Sequence, residues 1–160
     1  MGIKALNKAI EFEKEGIKFY SNALKIIQHD LCRKLIQTLL EEEKKHIDEL
    51  NKIYNELDKK DAWPEVDTLV VDDQLKNIYK NACFASGKTL KPSSDEREFL
   101  DLCMALEIKG QKQYKKLADE AEDEKEKKFY ERLFSEEEKH YEFLEQHYNY
   151  YWDSGLKMQE

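Results

Sequence analysis

The sequence predicts an all-α protein, an antiparallel four-helix bundle made of two repeated helical hairpins joined by a long crossover with a short extra helix. Three observations carry this. Charged residues make up 39 % of the chain while Gly and Pro together number seven in 160 residues. That composition suits long helices with solvated faces and starves a sheet of the turn residues it needs. Apolar residues recur at spacings of three and four along four stretches, the period of an amphipathic helix. Finally, the two halves of the pattern match under a single shift of 94 residues.

The first helix runs from about Ile3 to Gln28, with Leu6, Ile10, Glu13, Ile17, Tyr20, Leu24 and Ile27 on one stripe. His29 and Asp30 form the break, and Asp30 is the expected N-cap of the next helix. The second helix covers about Leu31 to Leu57, with the stripe Ile36, Leu39, Glu43, His46, Leu50, Ile53 and Leu57. So short a link forces the two helices into an antiparallel hairpin. Residues 58–94 differ: Trp63-Pro64 breaks any helix, and Gly87, Pro92, Ser93 and Ser94 mark loop, with room for a short helix over Asp72 to Phe84. Ser94 or Asp95 then caps a third helix to about Ala121, with the stripe Leu100, Met104, Glu107, Gln111, Tyr114, Ala118 and Ala121. The fourth runs from about Glu124 to Tyr151, with Tyr130, Leu133, Glu137, His140, Leu144, His147 and Tyr151 inward. Each long helix spans about 40 Å at ~1.5 Å per residue, so the crossover must return along the bundle. The expectation is one domain over 1–160: hairpin 3–57, crossover 58–94, hairpin 95–151 and a tail over 152–160.

Several function classes are excluded by bulk properties. A net charge of −8 repels phosphates and argues against nucleic acid. No apolar stretch approaches membrane length. Met1 to Ile10 carries Lys4 and Lys8 in a helical pattern and lacks a signal peptide's apolar run. Cys32, Cys83 and Cys103 are far apart, with no C-x-x-C for a metal ribbon or a disulfide framework, which fits a reducing cytoplasm and small buried side chains.

The repeat points to chemistry. The shift of 94 places Glu13 on Glu107, Gly16 on Gly110, Tyr20 on Tyr114, Glu43 on Glu137, His46 on His140 and Leu50 on Leu144. Glu13 and Glu43 are symmetric about residue 28, and Glu107 and Glu137 about residue 122, where the two hairpin turns fall. Such residues lie opposite one another in an antiparallel pair. A Glu-x-x-His motif alone is weak in a Glu-rich chain. Here each His also has a Glu 33 residues upstream on an inward stripe. Four carboxylates at one level of a core cost several kcal/mol at least and repel one another, so compensation is needed. Two divalent cations supply it, and oxygen-rich ligands with one imidazole per ion suit iron or manganese better than structural zinc. The candidate ligands are Glu13, Glu43, His46, Glu107, Glu137 and His140; the competing reading is a bundle with buried salt bridges.

The phrases Ala-Ile-Glu-Phe-Glu-Lys-Glu-Gly-Ile-Lys-Phe-Tyr (9–20), Leu-Glu-Glu-Glu-Lys-Lys-His (40–46), Glu-Ile-Lys-Gly-Gln-Lys-Gln-Tyr (107–114) and Ser-Glu-Glu-Glu-Lys-His (135–140) resemble the rubrerythrin-like branch of the ferritin-like superfamily. The resemblance implies a di-iron carboxylate site in which Glu13 and Glu107 are ligands from the first helix of each hairpin, Glu43 and Glu137 bridge, and His46 and His140 are terminal ligands. It implies that Tyr20 and Tyr114 lie near the metals as hydrogen-bond donors, the alternative being ordinary core aromatics. Two departures stand out. No cysteine motif provides a rubredoxin domain, so electrons come from a separate donor. Gly110 occupies the position of an extra Glu associated with peroxide reduction in the rubrerythrins.

The expected function is therefore a cytoplasmic non-haem di-iron (or Fe/Mn) oxidoreductase acting on peroxide or dioxygen. Its rivals are a ferroxidase or iron-handling protein, and a non-enzymatic helical interaction protein with a vestigial site. Glu11, Glu15, Glu42, Glu136 and Glu138 lie off the stripes and are expected on the surface. His29 reads as a turn residue and His147 as partly buried near the bundle end. The aromatic cluster Tyr148, Tyr150, Tyr151 and Trp152 packs either on the crossover or on a second subunit, as in a homodimer.

Overall fold

A computed structural model describes residues 2–66 and 94–150. These form four helices: α1 (Ile3–Ile26), α2 (Asp30–Lys60), α3 (Ser94–Glu120) and α4 (Glu124–Tyr148). The most extensive packing is within the pairs α1–α2 and α3–α4, with α1 also meeting α3 and α2 meeting α4. The result is two hairpins face to face, the predicted all-α four-helix bundle. The short helix expected over Asp72 to Phe84, the tail from Tyr151 and Cys83 lie outside the described residues. Among the described residues, no helix is long and apolar enough to cross a membrane.

Local chemistry explains the boundaries. α1 ends two residues earlier than expected, with Ile27 in an extended conformation. Arg33 reaches back from α2 to donate to the carbonyls of Leu24 and Ile27 (2.7 Å to the latter). It thus satisfies orphan acceptors at the negative end of the helix dipole. The cap of α2 is His29 rather than Asp30: its Nδ1 accepts from the Cys32 N–H at 3.4 Å, while Asp30 is the first helical residue. An imidazole nitrogen and a carboxylate compete for one capping role, and the carboxylate one residue later interacts with the same dipole end. α2 runs three residues beyond the expected Leu57, to a left-handed Asp61. Asp123 caps α4 as Asp residues commonly do, accepting from Lys125 N at 2.7 Å and Glu126 N at 3.3 Å. The α-helical part of α4 ends at Tyr148, and Asn149 and Tyr150 continue it as a π-helical turn to the last described residue.

The predicted stripes form the core. Every stripe residue of α2 is buried, whereas Ile17, Leu24, Met104, Gln111 and Ala121 are only half-buried. The apolar core falls into two clusters. One gathers Leu6, Ile10, Phe12, Leu50, Trp63, Tyr114, Phe129, Tyr130 and Leu133. The other gathers Tyr20, Ile27, Cys32, Leu35, Ile36, Leu39, Leu100, Cys103 and Leu144. Between these two dry layers lies a single polar one.

Candidate metal centre

The polar layer contains the six residues singled out from the repeat. Glu13 comes from α1, Glu43 and His46 from α2, Glu107 from α3, and Glu137 and His140 from α4. None is more than 3 % exposed. They sort into two groups whose ligand atoms lie within 4.8 Å of one another: Glu13, Glu43, His46 and Glu137, and Glu43, Glu107, Glu137 and His140. Glu43 and Glu137 belong to both. Each group can hold a metal ion, and the two shared carboxylates stand where bridging ligands would.

Both imidazoles present Nδ1 to the carboxylates. His46 Nδ1 lies 3.4 Å from Glu13 and 3.5 Å from both Glu43 and Glu137. His140 Nδ1 lies 3.1 Å from Glu43, 3.5 Å from Glu107 and 3.6 Å from Glu137. The rings stack with centroids 5.7 Å apart and 15° between their planes. This near-symmetry follows from the sequence repeat: the same residues at the same register in both hairpins build two matching half-sites.

Electrostatics sets the buried carboxyls of the layer apart from one another. Burial pushes all four carboxyls up. At Glu13 and Glu107 that push prevails, reinforced by the charges of Glu43 and Glu137 respectively. At Glu43 and Glu137 it is outweighed by the neighbouring Glu13 and Glu107 carboxyls and by the two imidazoles, and both are held low. Burial lowers the two histidines, but Glu13 beside His46 and Glu107 beside His140 raise them well above their ordinary value. The raised carboxyls and imidazoles hold protons more tightly than they would in water, which offsets the charge of the two low carboxylates. Divalent cations would compete with protons for these same groups.

The donor set fits metal ions on a further count. Glu13 Oε2, His46 Nδ1, Glu107 Oε2 and Glu137 Oε1 are buried and make no hydrogen bond among the described residues. Buried polar atoms are normally satisfied, and four exceptions in one layer indicate a group they are built to receive. The surrounding residues hold the ligands in place. Tyr20 on α1 donates to Glu107 on α3, and Tyr114 on α3 donates to Glu13 on α1. Each tyrosine therefore serves the other hairpin's glutamate, not the glutamate seven residues before it. Burial and the adjacent carboxylate push both phenols up, so they remain donors.

Glu136 corrects the sequence reading. Expected on the surface, it is half-buried and accepts from His46 Nε2 at 2.7 Å. The buried Arg132 stands behind it, 3.7 Å from Glu136 and 2.5 Å from Glu49. Hydrogen bonds to the imidazole and the Arg132 charge overcome burial and hold Glu136 low. The carboxylate fixes the His46 tautomer, leaving Nδ1 for a ligand. A stripe of single positions overlooks the flanking residue that reaches across to the next helix; an arginine one turn before Glu136 was the available signal. The repeat-related Glu42, half-buried where the surface was expected, pairs instead with Lys45 at 3.0 Å, so the half-sites differ here. Glu11, Glu15 and Glu138 are exposed as expected.

Gly110 also has a structural reason. A Cβ there would lie 3.1 Å from Phe12 and 3.2 Å from the Glu137 carboxyl, while a Cβ at Gly16 would meet nothing within 4 Å. A side chain at 110 would start inside the contact distance of a shared carboxylate. His147, expected to be partly buried, is fully buried with Nε2 3.0 Å from Cys32 Sγ. Burial, with a smaller contribution from His29, pushes it down to about 3. Cys32 and Cys103 are buried, as expected.

Neither the curated proteins nor the solved structures compared with the chain gave a match. A family model described as rubrerythrin matches residues 4–148, a span that takes in both hairpins and all six clustered Glu and His residues. On that match the chain belongs to the rubrerythrin family.

Proposed function

We propose that the protein holds two iron ions through Glu13, Glu43, His46, Glu107, Glu137 and His140, and uses them to reduce peroxide or dioxygen with electrons from a separate donor. The observation that carries this is the sharing of Glu43 and Glu137 between two four-residue donor groups buried at one level of the bundle. When bound, a ferrous pair supplies electrons and Lewis acidity at adjacent positions. The chain's own residues prepare the site. The apolar layers above and below exclude water and strengthen electrostatic interactions within it. Tyr20 and Tyr114 orient the terminal carboxylates of Glu107 and Glu13 from opposite hairpins and keep a proton at each phenolic oxygen. Glu136 sets the ligating nitrogen of His46.

Metal analysis of protein expressed in iron-replete medium should find iron, lost in Glu43→Ala and reduced in His46→Ala. Anaerobic ferrous loading followed by peroxide or dioxygen should oxidise the centre, with the faster oxidant identifying the substrate. Protein free of iron and manganese, with both variants unchanged in metal content, would remove the basis of the proposal.

A further inference from the structure

A second set of metal-binding side chains lies at the end of the bundle where the α1–α2 turn meets the start of α3 and the end of α4. His29, Cys32 and Glu96 place ligand atoms within 4.8 Å of one another. His147 on α4 lies beside this group, not within the 4.8 Å set itself, with its Nε2 3.0 Å from Cys32 Sγ. Cys32 and His147 are fully buried and form the floor, while half-buried His29 and Glu96 lie toward solvent. Hydrogen bonds already gather these segments: the His29 N–H donates to Glu96 at 3.2 Å, and the Arg97 side chain donates to the Tyr148 hydroxyl at 2.8 Å.

We propose that His29, Cys32, Glu96 and His147 form a mononuclear site for a thiophilic divalent cation, zinc by its donor set, separate from the dinuclear centre. A soft thiolate and two borderline imidazoles, completed by one carboxylate, suit tetrahedral zinc, in contrast to the oxygen-rich central layer. The geometry closes by side-chain movement. Zinc with bonds of about 2.3 Å to sulfur and about 2.0 Å to nitrogen separates those two donors by about 3.5 Å, so Cys32 Sγ and His147 Nε2, now 3.0 Å apart, part by roughly half an ångström. His29 and Glu96 close in by side-chain rotation, one from a turn and the other from the first turn of a helix. Binding forms the sulfur–metal bond and expels the Cys32 thiol proton to solvent; no electron moves. The bound cation would tie the turn of the first hairpin to both helices of the second.

Cobalt(II) distinguishes this site from the central one, because only a thiolate ligand gives sulfur-to-cobalt charge transfer in the near ultraviolet. Anaerobic titration of the reduced, metal-free full chain with cobalt(II) should produce that band, and zinc should bleach it. Cys32→Ser should abolish the band, while Cys83→Ala and Cys103→Ala should retain it. Glu96→Gln, at a half-buried position that tolerates the change, should weaken cobalt binding at this site at least about tenfold, as should His147→Gln. Glu137→Ala disrupts the dinuclear centre and should leave the band intact, so failure of one site is readable apart from failure of the other. No band in the parent protein would overturn the proposal. So would a band that survives Cys32→Ser, one lost in Glu137→Ala, or an affinity unchanged in both Glu96→Gln and His147→Gln.

Discussion

Gly16 and Gly110 occupy equivalent positions, three residues after Glu13 and Glu107, yet replacing each with alanine should have opposite consequences. Glycine inside a helix costs about 1 kcal/mol relative to alanine. At Gly16 the added methyl meets nothing within 4 Å, so Gly16→Ala should stabilise the protein by about 0.5–1 kcal/mol. At Gly110 the same methyl would stand 3.1 Å from Phe12 and 3.2 Å from Glu137. Carbon atoms prefer about 3.5–4.0 Å, so Glu137 must retreat by a few tenths of an ångström within a filled layer. Overpacking of that kind costs about 1–3 kcal/mol, which cancels the helix gain and leaves Gly110→Ala neutral to about 2 kcal/mol destabilised. The larger effect falls on metal binding. Glu137 belongs to both donor groups, and ligands must be held within about 0.5 Å of their working position. Urea unfolding of the metal-free proteins measures the first quantity, and calorimetric titration with ferrous ion under anaerobic conditions the second. Affinity should fall at least about tenfold in Gly110→Ala and stay unchanged in Gly16→Ala. If Gly110→Ala is stabilised as much as Gly16→Ala and binds iron as the parent does, the close approach of Gly110 to Glu137 has no functional weight.

Individual contacts can be tested in the same way. Tyr20→Phe and Tyr114→Phe each remove the donor to a buried carboxyl and should each destabilise the metal-free protein by about 1–3 kcal/mol; because both act on one layer, a double-mutant cycle should show them non-additive, and strict additivity would contradict the shared network. Glu136→Gln should weaken the ion on the His46 side by about tenfold and spare the His140 side, resolved as one altered step in a two-step titration; equal weakening of both steps would show that Glu136 does not act through His46. His147, held down to about 3 by burial, stays neutral in the folded protein while the unfolded imidazole takes up a proton below about 6.5. Its stabilising contribution is thus complete above about 6.5 and is lost as pH falls toward about 3, amounting to a loss of about 2 kcal/mol between about pH 7.5 and 5 in metal-free protein. Denaturant melts across that range should show a shallower pH slope in His147→Gln, and parallel slopes would refute the assignment.

Much of this protein can be read along the chain, because a helix is a local structure and its apolar period is written in consecutive residues. The four helices, their inward stripes and the six clustered Glu and His residues all follow from spacing. The shift of 94 even puts equivalent residues at one level of the bundle, since antiparallel hairpins of equal length place equivalent positions at equivalent depths. Boundaries are less legible: His29 takes the cap expected of Asp30, because a side chain's competition for one N–H depends on the path of the turn.

Contacts between hairpins were decided only in three dimensions. Sequence places Tyr20 near Glu13, seven residues away on the same helix, but the bundle turns its hydroxyl to Glu107 on the facing helix. Glu136 lies off its stripe and still reaches His46, because the angle between packed helices brings a flanking position to the partner's edge. Gly16 and Gly110 are identical in the repeat and differ in what they touch. Cys32 and His147 are 115 residues apart and meet at 3.0 Å where the two hairpins close. Periodicity along one helix specifies which face is buried; which side chain of another helix meets it depends on the rotation and offset of the two hairpins, and only the packed bundle sets those.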